Sequence, residues 1–297
     1  MAKRFVCGKT TMSGQPCRRR VKSPGGACGA AHFGEPAAAA QARARSVLAE
    51  IAVDADPFGS VGPFDLDAAV ALAADPDTGL AQLARLADHR HRDVRKHVAA
   101  NPAASLDLLE RLAGDSDQYV RRGVAKNPNA PLGLVERFST DRSAKVRMMA
   151  AVRQEAPLLT ALAADQDQRV RQRVAANAAT PGEVVDGLAG DFSPDVRMAA
   201  ASNPGCSPET LAVIAEDHDP WVRAAAAASR AASPALVAVL AADRHPAARA
   251  GAAGNLNCPP RLLTGLAADP DPGVRSAAAA NPNLPAAGQA AAGLLAD

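Results

Sequence analysis

The apolar and polar positions of this chain recur at one spacing over most of its length. An arginine behind a small aliphatic residue stands at Arg95, Arg121, Arg147, Arg171, Arg197, Arg223, Arg249 and Arg275, in steps of 26, 26, 24, 26, 26, 26 and 26 residues. An aspartate precedes the later arginines by six residues, at Asp115, Asp141, Asp165, Asp191, Asp217, Asp243 and Asp269; Asp88 precedes Arg95 by seven. Six residues after each arginine comes a polar stop: Asn101, Asn127, Arg153, Asn177, Asn203, Ser229, Asn255 and Asn281. Proline follows ten or eleven residues after most arginines, as at Pro131, Pro157, Pro181, Pro208, Pro234, Pro260 and Pro285. A fixed period of this length marks stacked supersecondary units.

Each unit predicts two short helices. In residues 115–140, Asp115 or Asp117 can cap the first helix, because a carboxylate accepts orphan N–H groups. Val120 and Val124 share one face of it. Asn127 stands before Pro128, and a pre-proline residue resists the helical conformation. Pro131 suits the first turn of the second helix, where its missing N–H costs nothing. Leu134, Val135 and Phe138 supply the second apolar stripe. Helices this short are unstable alone and bury their stripes only on neighbouring units.

The pattern D-x-D-x-x-V-R-x-x-V-A-x-N-P-x-x-P-x-x-L-x-x-L-A resembles the leucine-rich repeat variant family, and its Asp and Val-Arg register is similar to HEAT repeats. Clear copies are DSDQYVRRGVAKNPNAPLGLVERF and DPDPGVRSAAAANPNLP. The resemblance covers residues 88–294 and implies an all-α fold, a right-handed solenoid of about eight two-helix units. It implies no specific activity. The expected organisation is a metal-binding basic module over 1–35, a helix and linker over 36–64, a degenerate capping repeat over 65–87 and the solenoid over 88–297. The unit 141–164 is two residues short, and the loss is placed between Pro157 and Asp165, trimming the second helix. It reads as a slip absorbed by the stack, with a kink that shapes a binding site as the alternative.

The N-terminal segment carries a different chemistry. Cys7, Cys17, Cys28 and His32 lie within 26 residues separated by Gly and Pro. Three thiolates and an imidazole suit tetrahedral zinc, and metal binding would supply the folding energy of a stretch with few apolar residues. The segment resembles short Cys-Cys-Cys-His zinc modules, which implies these four residues as ligands. An iron–sulfur cluster is the alternative, because the resembled solenoid family includes members with a cysteine-ligated N-terminal cluster; free thiols are the third reading. Arg18, Arg19, Arg20 and Lys22 sit between two of the ligands and would form a cationic edge suited to phosphate, or a solvated loop.

Composition narrows the classes. The 297 residues carry 33 Lys and Arg against 31 Asp and Glu, a net charge of +2. Residues 1–34 hold seven of those bases and no acid, so the rest of the chain is mildly acidic. A uniformly basic coat for nucleic acid is excluded. Aromatic residues are 3%, so Ala, Leu and Val must fill the interior. Without an 18-residue apolar run or a signal core, a cytoplasmic protein with no membrane contact is expected.

Other residues invite a functional reading and have a plainer one. The ladder Asp115, Arg121, Asp141, Arg147, Asp165, Arg171, Asp191, Arg197, Asp217, Arg223, Asp269 and Arg275 reads as a stacking device, arginine reaching the acid of a neighbouring turn. Cys206 and Cys258, two repeats apart, read as small apolar fillers. His89, His91 and His97 lack the spacing that aims two imidazoles at one ion and read as a surface basic patch. With Arg121, Arg122 and Arg173 that patch makes the first half of the array more basic than the second. Trp221 reads as an anchor between units. No P-loop, G-x-G-x-x-G or G-x-S-x-G is present, and no small-molecule substrate is implied. The expected function is a non-enzymatic scaffold with a protein partner. A nucleic-acid-binding protein is the alternative, and iron–sulfur chemistry or DNA repair on a repeat fold is the outsider.

Overall fold

The computed structural model describes residues 5–6, 20–21, 63–286 and 289. The chain divides into two compact units, Met1–Ala104 and Ser105–Asp297.

In the first unit, β1 (Phe5–Val6) pairs antiparallel with β2 (Arg20–Val21), Phe5 opposite Val21 and Val6 opposite Arg20. Helices α1 (Pro63–Ala74), α2 (Leu80–Leu86) and α3 (Arg92–Ala100) follow. The capping region is a full helix pair in repeat register. Asp75 occupies the place of the repeat asparagine: its Oδ1 accepts the Asp77 amide, as Asn101 Oδ1 accepts the Ala103 amide. Asn101 in turn donates to the carbonyls of Ala73 and Asp75, both at 2.8 Å, and ties α3 to α1. The pair starts at Pro63, inside the expected linker.

The second unit opens on α4 (Leu106–Ala113) and then repeats one plan. Its first helices, here A helices, are α5 (Gln118–Lys126), α7 (Ala144–Ala150), α9 (Gln168–Ala175), α11 (Pro194–Ser202), α13 (Pro220–Ala228), α15 (Pro246–Gly254) and α17 (Pro272–Ala280). Its second helices, B helices like α4, are α6 (Leu132–Glu136, continued by a 3-10 turn Arg137–Thr140), α8 (Ala156–Leu162), α10 (Gly182–Leu188), α12 (Pro208–Ile214), α14 (Pro234–Leu240) and α16 (Pro260–Leu266). Each A helix packs on the next A helix. The architecture is an all-α repeat solenoid.

Two sequence columns build the core. The valine before each ladder arginine is wholly buried at Val120, Val146, Val170, Val196, Val222 and Val274. Leucines of the B helices, such as Leu109, Leu159, Leu211 and Leu263, close the layer from the other side. Burial of each such side chain is worth roughly 1.5–3 kcal/mol, which seven-residue helices cannot supply internally. Caps sharpen the starts. Asp117, Asp167 and Asp219 accept the amide two residues on, and Ser207 and Ser233 the amide three residues on.

The short unit corrects the sequence reading. α8 keeps seven residues, the length of α10 and α12. The two missing residues come from the end of the first helix: α7 closes at Ala150, three residues after Arg147, whereas α11 runs to Ser202, five after Arg197, and five residues separate the two helices in both units. α7 is thus seven residues long where α11 and α13 run for nine. The second helix carries the apolar stripe Leu158, Leu159 and Leu162, all buried, so the deletion falls where no core side chain is lost.

Candidate interaction surface

The periodic charges are consumed in the stack. Each ladder arginine forks onto the aspartate of the following unit: Arg121 to Asp141, Arg147 to Asp165, Arg171 to Asp191, Arg197 to Asp217, Arg223 to Asp243 and Arg249 to Asp269. In the Arg197 rung, Nε lies 2.6 Å from Oδ2 and Nη2 2.9 Å from Oδ1, a bidentate pair. Its Nη1 donates to the Asp191 carbonyl of its own unit at 2.9 Å. The aspartate six residues before an arginine therefore serves the preceding arginine with its carboxylate and its own arginine with its carbonyl. Asp115 takes the same local place, its carbonyl receiving Arg121 and its carboxylate the Asp117 amide. Arg275 donates to the carbonyls of Asp269 and Pro270 in the same local way.

Burial pushes the carboxyls of Asp141, Asp165 and Asp217 up, but the arginine fork and a backbone amide outweigh it and hold all three below the usual range. At Asp191, Asp243 and Asp269 the arginine fork is the largest influence, and these are held low as well.

A second ladder was missed in the sequence. The asparagines there predicted only to stop a helix are buried and stitch units together. Asn203 Nδ2 donates to the carbonyls of Ala175 and Asn177, Asn255 to Ala227 and Ser229, and Asn281 to Ala253 and Asn255. Each Oδ1 accepts the amide two residues on, so one side chain satisfies three backbone groups. In the short unit Arg153 stands at this place, weakly reaching the Asn127 and Ala130 carbonyls at 3.4 and 3.3 Å and pairing with Glu155 at 3.0 Å. The recurrence of Asn before a turn was the available signal.

The histidine cluster is a surface patch only in part: His91 stays 43% exposed at its side chain, but His89 does not belong to it. His89 is buried, and its Nδ1 accepts the His91 amide, the job of the repeat aspartate. Burial, the largest influence, pushes its pKa down, so it is neutral at pH 7. Ala69 stands where the preceding pair would carry a ladder arginine, so no carboxylate is called for at 89. His91 caps α3 through Nδ1, and His97 Nδ1 lies 2.6 Å from the Asp93 carbonyl. Trp221 is likewise not packed between units: it is 61% exposed, its ring edge-on to His245 at 5.9 Å. Cys206 and Cys258 are buried free thiols, and burial beside Asp186 pushes Cys206 up to about 11.

The remaining charges sort by face. At 100° per residue, positions −2, +1, +2 and +5 from the ladder arginine share the side of an A helix turned away from the core, with +2 at the edge against the neighbouring A helix. At α5, α7 and α9 these positions hold Tyr119, Arg122, Gly123 and Lys126, then Lys145, Met148, Met149 and, past the end of α7, Val152, then Arg169, Gln172, Arg173 and, past the end of α9, Ala176. Arg122 lies 5.6 Å and Lys145 Nζ 5.8 Å from the Tyr119 ring centre. On α13, α15 and α17 the same positions shrink to Ala, Gly and Ser around Trp221. The B helices carry more acids than bases, with exposed Asp107, Glu110, Glu136, Glu183 and Glu209 against exposed Arg111, Arg137 and Arg261. A pocket of about 370 Å³ at the ends of α11 and α13 is lined by Ser202, Pro204, Ala225, Ala228, Ser229 and Arg230 and gathers no carboxylate.

Among the described residues no cluster of three or more His, Cys, Asp or Glu is placed to hold a metal. The expected ligands Cys7, Cys17, Cys28 and His32 lie outside the described residues, as do Arg18, Arg19 and Lys22; Arg20 is described only as backbone in β2. No helix is long and apolar enough to cross a membrane among the described residues.

Known proteins agree with this architecture. A family model described as Leucine Rich Repeat Variant domain matches residues 67–128. No curated protein matches. Among solved structures, a leucine-rich repeat variant with a novel repetitive structural motif is similar at 25% identity and TM-score 0.53, over 77% of this chain and 88% of that one. The X-ray structure of YibA from E. coli aligns at 17% identity and TM-score 0.42, over 75% of this chain and 97% of that one. The match at 67–128 includes the helix pair α1–α2, in keeping with its repeat register.

Proposed function

We propose that this chain is a non-enzymatic interaction scaffold whose stacked helices dock a partner protein. One observation carries the reading. The buried charges are spent on the ladder, and among the exposed ones bases and methionines gather on the A helices α5, α7 and α9 while acids outnumber bases on the B helices. Methionine, arginine and aromatic residues are enriched where proteins meet, whereas a catalytic site needs acids and bases converging on a cavity.

The N-terminal segment adds a second contact in this reading. Cys7, Cys17, Cys28 and His32 would hold zinc as a structural ion, the donor set that tetrahedral zinc takes. The pairing of β1 with β2 supports a closed local loop, since Cys7 and Cys17 both fall between the strands in sequence. Arg18, Arg19, Arg20 and Lys22 would then present a small cationic edge. Two linked weak contacts give avidity that neither has alone.

The test has two parts. Metal analysis of full-length protein purified without added metal should give one zinc per chain and no visible absorbance; the colour of an iron–sulfur cluster overturns the zinc assignment. Affinity capture with the full chain, with and without nuclease, should retain a protein partner after nuclease. Recovery of nucleic acid alone, lost on digestion and steeply salt-dependent, overturns the scaffold reading in favour of phosphate binding.

A further inference from the structure

The basic A face of the second unit holds more information than its charge. The structure carries it on three consecutive A helices that pack on one another, α5, α7 and α9. Arg122, Lys126, Lys145, Arg169 and Arg173 all project there. Asp167, the cap of α9, reaches Arg169 at 3.5 Å, with Arg169 still 69% exposed at its side chain. The ladder arginines add nothing to this field, because each is already forked onto an acid. The field stops at α11, where Asp195 takes the position held by Lys145 and Arg169.

The centre of the patch is apolar. Met148 and Met149 on α7 are half-buried, and Val152, two residues past the end of α7, is 50% exposed; α7 lies between α5 and α9, the helices that carry the cations. This is the short unit. α7 ends two residues early, and Val152 stands in the turn that follows it. An apolar strip between two cationic rails is poor chemistry for a sugar–phosphate backbone. Sequence-tolerant nucleic-acid binding stacks bases on free aromatic faces, and the Tyr119 ring is already engaged by Arg122 and Lys145.

We propose that the A face of α5, α7 and α9 docks an acidic peptide segment of a partner protein, with an aliphatic side chain seated on Met148, Met149 and Val152. The proposal rests on the scaffold reading and deepens it by naming the partner's chemistry. Helix axes 8–10 Å apart give the face a width of roughly 20 Å, about six residues of extended chain. Carboxylates on either side of an aliphatic residue would meet the outer cations, while methionine adapts to the anchor. Charge sets encounter and register, and the desolvated anchor sets residence.

A fluorescent peptide of about eight alternating glutamates and leucines, titrated into the full chain, should bind saturably by anisotropy. The double variant Lys145→Glu/Arg173→Glu should weaken it at least about tenfold, and Val152→Asp by several-fold at unchanged salt. Arg261→Glu, on the B helix α16, should leave it unchanged; circular dichroism should show all variants folded. A thymidine oligonucleotide of equal charge should bind more weakly by about tenfold or more. Equal oligonucleotide binding lost in the same variants would make this a phosphate surface and overturn the proposal. So would peptide binding indifferent to Lys145 and Arg173, or to Val152. If a captured partner survives nuclease and still binds the Lys145→Glu/Arg173→Glu variant, the scaffold reading stands and this docking face does not.

Discussion

Asp217 shows what one side chain does here. Its carboxylate takes both nitrogens of the Arg197 fork and the Asp219 amide, and its carbonyl takes Arg223. Asp217→Ala leaves a buried guanidinium without its counter-charge, a change that costs roughly 3–5 kcal/mol. Replacing both partners by apolar residues of similar size, Arg197→Met with Asp217→Leu, should cost much less, because no charge is stranded. Urea melts of the single and double variants measure this; equal losses in both would show that the pair is net stabilising in itself. Gly251 makes a different demand. A Cβ there would lie 2.6 Å from the Ala224 carbonyl of the neighbouring A helix and 3.1 Å from Ala227 Cβ. Gly251→Ala should therefore destabilise by roughly 1–3 kcal/mol, against the usual helix preference for alanine. A higher Tm for that variant would show that α13 and α15 separate freely.

At the scale of the element, a unit is held to its neighbour by two devices at opposite ends of the A helix. The arginine fork binds the start of the next unit, and the asparagine binds the end of the preceding A helix. Asn203→Ala removes two donors from the carbonyls of Ala175 and Asn177 and one acceptor from the Gly205 amide. With each abandoned buried group costing roughly 1–3 kcal/mol, the loss should exceed that of an exposed Asn283→Ala, as read from denaturation midpoints. The short unit tolerates a weaker version of this device in Arg153. Its two-residue deletion was legible as a change of period but misplaced along the chain. Period counts residues between marks, and only the helix ends show which segment gave them up.

Over the whole molecule the rungs act together. Six aspartates have carboxyls held below their unfolded range of about 3.9. The stability each contributes is therefore fully present above that value and lost as pH falls through the lower folded value. The second unit should hold its stability from about pH 7 to about pH 5 and lose it steeply below about pH 4. Its Tm, followed by circular dichroism, checks this; a Tm unchanged down to about pH 3 would mean the acids are not depressed by folding. His89 works the same way nearer neutrality in the first unit. Its folded pKa lies below the ordinary histidine value of about 6.5, so the stability owed to the neutral ring is lost as pH falls from that value through the folded one.

The sequence by itself determined the repeat, the two-helix unit and the buried valine and leucine columns, because helical period and stacking period are both local regularities. It also marked Cys7, Cys17, Cys28 and His32, whose spacing is their own signal. Tertiary structure alone decided which partner each periodic charge takes. Arg197 and Asp217 are twenty residues apart, and nothing local distinguishes that acid from Asp191, six residues away. Packing likewise buried His89 and Asn203 and exposed Trp221, since burial depends on what the next unit places opposite. The basic face of α5, α7 and α9 is invisible along a chain that alternates ladder cations with surface ones. It emerges when stacking aligns equivalent positions and the ladder neutralises the arginines between them.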